Sequence, residues 1–142
     1  MKDGFIRLAA ATPKVCLADP AENVLHIAEL IREAAELGCG AVCFPELALT
    51  GYTCGDLFRE QALLAAAERG LARLMKETAR LDILCAVGLP VPQGGALYNC
   101  CAVFHRGRLL GLPAKENIPN YSEFYEARYF SPAPAPFEVQ YA

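Results

Sequence analysis

The sequence alternates short apolar runs with longer amphipathic ones, and this alternation constrains the fold more than any other feature. Residues 5–11 and 40–45 are mostly apolar and of strand length, and a helical pattern separates them. Apolar runs that do not alternate with polar residues are typical of strands covered on both faces. We therefore expect an α/β fold whose first strand lies inside a sheet with cover on each side.

The helix between these runs has clear start and stop signals. Asp19 offers an N-cap acceptor, Pro20 suits the first helical position, and Glu22 follows at the third. Apolar residues then recur at helical spacing until Gly38, which can form a left-handed C-terminal cap. The pattern predicts an amphipathic helix with one packed face.

The second half predicts a different strand arrangement. A helix is expected from about 56 to 81, followed by strands at 83–89, 97–104 and 108–112, with turns at 93–95 and 106–107. The later strands form hairpins, which favours a mixed sheet flanked by helices. From Pro113 onward the proline and aromatic content indicates an ordered loop with a short helix.

Composition limits the classes of partner. The 142 residues suffice for one domain, and the net charge of −3 leaves no basic surplus for nucleic acid or an anionic membrane. The N-terminus has no secretory pattern, and no apolar run reaches membrane-spanning length. We expect a cytoplasmic protein whose partners are small molecules or other proteins.

Cysteines and histidines do not indicate a metal centre. The seven cysteines include no CxxC pair, and the two histidines, His26 and His105, are predicted to lie in a helix and in a solvated turn. Reduced, buried thiols explain the cysteines best. No phosphate-binding glycine motif occurs, so we expect no cofactor in this segment.

Three residues are candidates for chemistry. Glu46 directly follows the second apolar strand, at the strand end where α/β sheets place ligands, and could act as a general base. Tyr52 lies nearby and could line a pocket, and Lys115 lies in a proline-framed loop and could stabilise an oxyanion. Each also has a structural alternative: a loop glutamate, a packing tyrosine and a solvated lysine.

In combination these segments resemble the nitrilase superfamily, which cleaves amides and nitriles with a Glu-Lys-Cys set. The resemblance rests on Phe44-Pro45-Glu46-Leu47, Thr50-Gly51-Tyr52 and Val87-Gly88-Leu89-Pro90. Lys115 with Ile118-Pro119 is similar to the lysine segment of the superfamily, and residues 125–130 resemble the stretch that carries a second glutamate, here Glu126.

Residues 51–58 and 117–126 are most similar to the N-terminal glutaminase domain of glutamine-dependent NAD synthetases. This resemblance implies an α-β-β-α sandwich with Glu46 as general base, Lys115 stabilising the oxyanion, and Glu126 orienting the lysine or its neighbours. It also implies that Tyr52 and Tyr121 line the glutamine pocket. The ammonia would serve NAD synthesis from the nicotinic acid dinucleotide, with ATP and Mg at a downstream synthetase domain.

This sequence differs from the superfamily pattern at the nucleophile. There the cysteine follows the lysine by several tens of residues, whereas the last cysteine here, Cys101, precedes Lys115. We set aside Cys43 because its strand is expected to be buried on both faces, where a thiol is inert. Cys100 and Cys101 should point to opposite faces of one strand. The resemblance therefore makes 1–142 the N-terminal part of one domain, without its nucleophile and inactive alone.

A partial sandwich would expose apolar faces and unpaired strand edges, which favours a homo-oligomer. Two other functions stay open at this stage. One is a stand-alone amidase or N-carbamoyl amine hydrolase, and the other is a non-catalytic fragment with a role in assembly.

Overall fold

The sheet has five strands in chain order, as described for residues 4–134 by a computed structural model. The strands are β1 Leu8–Ala10, β2 Ala41–Cys43, β3 Leu84–Gln93, β4 Ala96–His105 and β5 Arg108–Gly111. Strands β1 to β3 pair in parallel, and β3 to β5 pair in antiparallel fashion. The mixed sheet is as predicted.

The first helix, α1, spans Pro20–Glu36, and both of its predicted end signals are confirmed. The side chain of Asp19 accepts a hydrogen bond of 3.1 Å from the backbone N–H of Glu22, which satisfies a free donor of the first turn. Gly38 has a φ of +73°, so the chain leaves the helix through the left-handed conformation that glycine favours.

The predicted helix over 56–81 is wrong at both ends. The segment forms a short 3-10 helix, Gly55–Arg59, and then helix α2, Gln61–Glu77. Glu60 separates the two because its backbone is extended, with φ −82° and ψ 118°. Thr78 ends α2, and its hydroxyl donates to the carbonyl of Leu74 at 2.8 Å.

The long hairpin of β3 and β4 depends on two glycines. Gly94 and Gly95 have φ values of +58° and +80°, which fits a two-residue turn with both central residues left-handed. Ten residue pairs join the two strands, from Leu84 with His105 to Gln93 with Ala96.

One face of the sheet is covered by α1 and α2. The main core combines apolar side chains of both helices with one set of strand residues, and Asn23 of α1 is fully buried. Its side chain bonds the backbone of Cys16 and the carbonyl of Leu49, tying the helix to the loop that follows β2. The strand residues of this core are Val42, Cys85, Val87, Leu89, Val91, Cys100, Ala102 and Phe104.

The opposite face of the sheet is largely uncovered within residues 4–134. Leu8 is 66% exposed, and Ala10 and Cys43 are exposed as well. The expectation that the first two strands are buried on both faces is therefore wrong, and so is the inert, buried environment predicted for Cys43. The physical reason is that both described α-helices pack against the other side.

The cysteines and histidines are placed as follows. All seven thiols are free, as predicted, but only Cys39, Cys54, Cys85 and Cys100 are buried. His105 closes β4 instead of lying in a turn, and its Nε2 lies 2.9 Å from Oδ1 of Asp82. No helix within the described range is long and apolar enough to cross a membrane.

Candidate active site

Glu46 lies in a tightly held loop that crosses over β3. After β2 the chain continues its parallel pairing through Phe44, whose N–H bonds the carbonyl of Ala86 at 3.0 Å. Leu47 adopts a left-handed φ of +53°, which costs an L residue roughly 1–2 kcal/mol, and its side chain is fully buried. Burial of this leucine holds the strained turn that presents Glu46.

Gly88 makes this crossing possible. A Cβ atom placed on Gly88 would lie 2.3 Å from the backbone nitrogen of Leu47 and 3.0 Å from the carbonyl carbon of Glu46. The N–H of Leu49 also donates to the Gly88 carbonyl at 3.1 Å. Only a residue without a side chain allows the Glu46 loop to lie directly against β3.

The Thr50-Gly51 pair turns the chain toward Tyr52. Thr50 is fully buried, and its hydroxyl lies within hydrogen-bond distance of the carbonyls of Leu47 and Gly51. Gly51 has a φ of +88°, and its N–H donates to the Leu47 carbonyl at 2.8 Å. The motif therefore serves as a turn, and it directs the phenol of Tyr52 toward Glu126.

Lys115 is held by the edge of β4. Beyond β5 the chain pairs again with β4: Cys101 donates to the carbonyl of Pro113 at 2.9 Å, and Lys115 donates to that of Asn99 at 2.8 Å. The carbonyl of Lys115 accepts from the N–H of Ala133 at 3.1 Å. Backbone bonds on both sides fix the position of the lysine.

Glu126 opens a short 3-10 helix, Glu126–Arg128, which is anchored by aromatic packing. Phe130 donates from its N–H to the Glu126 carbonyl at 2.8 Å, and its ring meets that of Phe58 at 4.9 Å in an edge-to-face arrangement. Phe58 is buried in a second apolar cluster with Leu47. The residues around 55–58 thus support the segment that carries the second glutamate.

These segments bring three charged groups together. Nζ of Lys115 lies 2.7 Å from Oε1 of Glu46 and 3.0 Å from both carboxylate oxygens of Glu126. Tyr52 donates from its hydroxyl to Oε1 of Glu126 at 2.7 Å. Glu126 is only 5% exposed, so its carboxylate depends on these donors for the interactions that water would otherwise supply.

The surroundings fix the protonation of two of these groups. Desolvation on its own would lower the pKa of Lys115, but hydrogen bonds to Glu46 and Glu126 and their charges outweigh it and raise the pKa. Burial is the largest cause of the raised pKa of Tyr52, followed by its bond to Glu126 and the charges of both glutamates. At neutral pH the lysine is therefore a cation and the tyrosine a donor.

A cleft of about 410 Å³ adjoins Glu46 and Lys115. Cys100 and Cys101 also line it, but burial raises the pKa of the Cys100 thiol to about 12. Burial, together with the neighbouring Cys43, raises that of Cys101 too, and a backbone hydrogen bond at Val87 offsets this only in part. Both cysteines therefore remain protonated thiols, which are poor nucleophiles. Cys43 is not among the lining residues.

Tyr121 lies apart from this network. Its side chain is 67% exposed, and its ring contacts Phe124 at a centroid distance of 5.6 Å. A second cavity of about 200 Å³ is lined by Tyr52, Glu126 and Tyr125, but not by Tyr121. The structure thus brings together four of the five predicted site residues, and the role of each in substrate binding or catalysis stays a prediction.

Asn99 belongs to the site but was not predicted from the sequence. Its Nδ2 donates to Oε1 of Glu46 at 2.7 Å, and the residue is 4% exposed. A usable signal was present, because Asn99 is an amide inside an otherwise apolar strand, and asparagine is disfavoured in strands and rarely buried.

Comparison with known proteins assigns the family. The family model described as carbon-nitrogen hydrolase matches residues 7–142. Glutamine-dependent NAD(+) synthetases of Mycobacterium tuberculosis and Aquifex aeolicus are 38% and 35% identical, over 91% and 96% of this chain. The chain spans only 19% and 24% of those relatives' length.

Solved structures agree with this assignment. The glutamine-dependent NAD(+) synthetase from Cytophaga hutchinsonii matches with a TM-score of 0.86 and 31% identity, covering 93% of this chain and 22% of that one. An amidase from Nesterenkonia sp. has the same fold, with a TM-score of 0.76 at 21% identity, covering 92% of this chain and 49% of that one. The chain belongs to the carbon-nitrogen hydrolase family and has the nitrilase-type α/β fold.

Proposed function

We propose that this chain is the N-terminal part of the glutaminase domain of a glutamine-dependent NAD synthetase. In this proposal it supplies the base, the oxyanion lysine and the supporting glutamate for hydrolysis of the glutamine side-chain amide. One observation carries the proposal: Nζ of Lys115 lies within 3.0 Å of carboxylates on Glu46 and Glu126, which come from separate segments of the chain.

The arrangement suits amide hydrolysis through a thioester. Glu46 takes the proton of an attacking thiol, the sulfur adds to the amide carbon, and the Lys115 ammonium stabilises the resulting oxyanion. Glu46 then gives its proton to the amide nitrogen, which leaves as ammonia. Water, deprotonated by Glu46, attacks the thioester. As glutamate is released, the departing sulfur takes the proton back from Glu46, which restores the thiol and the carboxylate. Glu126 holds the lysine in place throughout, and Tyr52 in turn holds Glu126.

The nucleophile, in this proposal, is a cysteine other than the seven of this sequence. Cys100 and Cys101 adjoin the cleft as protonated thiols, and Cys43 lies in a groove of the uncovered sheet face with Leu8 and Ala86. We therefore expect the 142 residues to be inactive alone.

The remaining parts of the proposal concern partners. The uncovered apolar sheet face supports a chain that forms one layer of a larger α-β-β-α domain, and it also supports self-association of this chain as a homo-oligomer. ATP and Mg would act only at a downstream synthetase domain that uses the ammonia. The proposal also includes a location in the cytoplasm.

A stand-alone amidase could use the same charged residues. The higher identity and TM-score of the Cytophaga synthetase favour the synthetase, since the Nesterenkonia amidase shares the fold at only 21% identity. A non-catalytic assembly role would leave the buried Glu126 and its three hydrogen bonds without a purpose beyond packing.

A chimera tests the proposal directly. The 129 residues of the Mycobacterium tuberculosis relative that match this chain are replaced by their counterparts from this chain, and ammonia release from glutamine is measured. We expect turnover in the chimera, a loss of roughly 10²–10⁴-fold on Glu46→Gln, and none from the 142 residues alone.

Folding of the grafted part is checked by circular dichroism and thermal unfolding of the chimera. NAD formation with ammonium chloride in place of glutamine requires only the synthetase part, so it should be equal in the chimera and its Glu46→Gln variant. A chimera that unfolds like the unsubstituted relative and makes NAD from ammonium, but releases no ammonia from glutamine, would contradict the proposed function. Turnover by the isolated chain would contradict the assignment of the nucleophile.

A further inference from the structure

The two oxygens of the Glu46 carboxylate have different environments. Oε1 accepts two hydrogen bonds, from Nζ of Lys115 and from Nδ2 of Asn99, both at 2.7 Å. Among residues 4–134, no donor is within hydrogen-bond distance of Oε2. One oxygen is therefore fixed, and the other is free for proton transfer.

Asn99 is well placed to determine which oxygen is fixed. It lies within β4, it is 4% exposed, and its backbone carbonyl accepts the N–H of Lys115 at 2.8 Å. The group facing Glu46 must be the amide nitrogen, because a carboxylate can only accept. One residue thus contacts Glu46 through its side chain and Lys115 through its backbone.

Lysine alone would not fix the carboxylate in this way. An ammonium is a compact point charge with rotatable donors, so it can pair with either carboxylate oxygen. The Glu46 side chain is 37% exposed, which leaves room for rotation. The amide of a buried asparagine has a fixed plane and a directional donor.

We propose that Asn99 is a positioning residue that holds the Glu46 carboxylate by Oε1 and so keeps Oε2 available to carry the proton. This inference rests on the proposed function of Glu46 as general base. In this role Asn99, which lines the cleft, acts on the reaction through Glu46.

The first test uses the 142-residue chain and nuclear magnetic resonance. The side-chain amide protons of Asn99 are compared at neutral pH in the parent and in Glu46→Gln. We expect the Asn99 signal to shift in the variant, because the amide loses its bond to a charged acceptor. An Asn99 signal that is the same in both proteins would overturn the proposal.

The second test uses glutamine turnover in the chimera. Asn99→Leu keeps the approximate shape without a donor, and we expect kcat to fall roughly 10- to 100-fold while KM changes by less than about twofold. The matched control is Val103→Ala on the same strand, which should leave kcat and KM unchanged. Circular dichroism and thermal unfolding again report folding of the grafted part.

The aspartate variant separates positioning from packing. In Asn99→Asp the new carboxyl can donate to Glu46 only when it is protonated, and it repels Glu46 when ionised. We expect kcat relative to the parent to rise as pH falls. Equal loss at all pH values, or loss through KM alone, would overturn the positioning role. An active chimera unaffected by Asn99→Leu would overturn it while leaving the proposed function intact. An inactive chimera would count against the proposed function and would overturn this inference with it.

Discussion

The two faces of the sheet differ in how deeply their side chains are buried and in whether they pack against helices or border the proposed site. The helix-covered face is built from apolar side chains that are almost fully buried, whereas the opposite face carries exposed Leu8 and Cys43 beside the Glu46 and Lys115 cleft. β4 shows the division within one strand, since Cys100 and Ala102 enter the core and Asn99 points to Glu46. The covered face therefore supplies stability, and the open face carries the proposed site.

Leu71 tests the covered face and should give the largest effect. It lies in α2, is fully buried and belongs to the main core. We expect Leu71→Ala to lower the free energy of unfolding by about 2–5 kcal/mol, because it leaves a cavity between helix and sheet. Urea denaturation followed by circular dichroism measures this. A loss no larger than that of an exposed residue would contradict the assigned core.

A substitution at Gly88 tests the close contact between β3 and the loop that carries Glu46. A methyl group there would lie 2.3 Å from the Leu47 nitrogen, and that backbone cannot yield without moving Glu46. We expect Gly88→Ala to cost about 3 kcal/mol, at the upper end for overpacking. Ammonia release by the chimera should also be lost. Gly94→Ala in the exposed hairpin turn, where nothing lies within 4 Å, is the control for a new Cβ. The loss of stability in Gly94→Ala should come only from the left-handed φ of that residue.

Tyr52 tests the polar network of the open face. Tyr52→Phe removes a hydrogen bond to Glu126, which should cost about 1 kcal/mol at neutral pH. The pKa of Tyr52 is raised in the folded state, so its contribution is fully present below the unfolded pKa of about 10 and declines as pH rises above it. As pH rises from 9 to 11, the free energy of unfolding should therefore fall less in Tyr52→Phe than in the parent. The difference should be on the order of the stability that the Tyr52 hydroxyl contributes. Equal losses would argue against the raised pKa.

Leu8 is the counterpart of Leu71 on the open face and should give the smallest effect. Because its side chain is 66% exposed, Leu8→Ala should change the free energy of unfolding by less than about 0.5 kcal/mol. Sedimentation should show weaker self-association, since apolar area is removed from the uncovered face. A large loss of stability would mean that this face is covered in solution.

The sequence predicts local structure well where the signals are local. The cap of α1 at Asp19 and the turn predicted at 93–95 are confirmed, because each depends on backbone preferences of a few residues. The mixed sheet is confirmed as well, because the order of helices and hairpins along the chain indicates which strands pair in parallel. The break at Glu60 was missed, since tertiary packing of Phe58 overrides the helical pattern there.

Burial and the full site are less accessible to sequence reasoning. Strand composition cannot tell which layer covers a sheet, so the exposure of Cys43 was not predicted. Family motifs located Glu46, Lys115 and Glu126 in the sequence. The contact of Asn99 with Glu46 was not located in this way, because the two residues are far apart in the chain and meet only through the register of β3 and β4.

The initial rate of ammonia release from glutamine by the Lys115→Met chimera tests the central claim most directly. The proposed role of Lys115 predicts a fall of about 10²–10³-fold relative to the unsubstituted chimera, because the oxyanion loses its fixed cation. Ammonium-supported NAD formation should stay unchanged. An unaltered rate of ammonia release would contradict the claim that Lys115, with Glu46 and Glu126, forms the centre of the reaction.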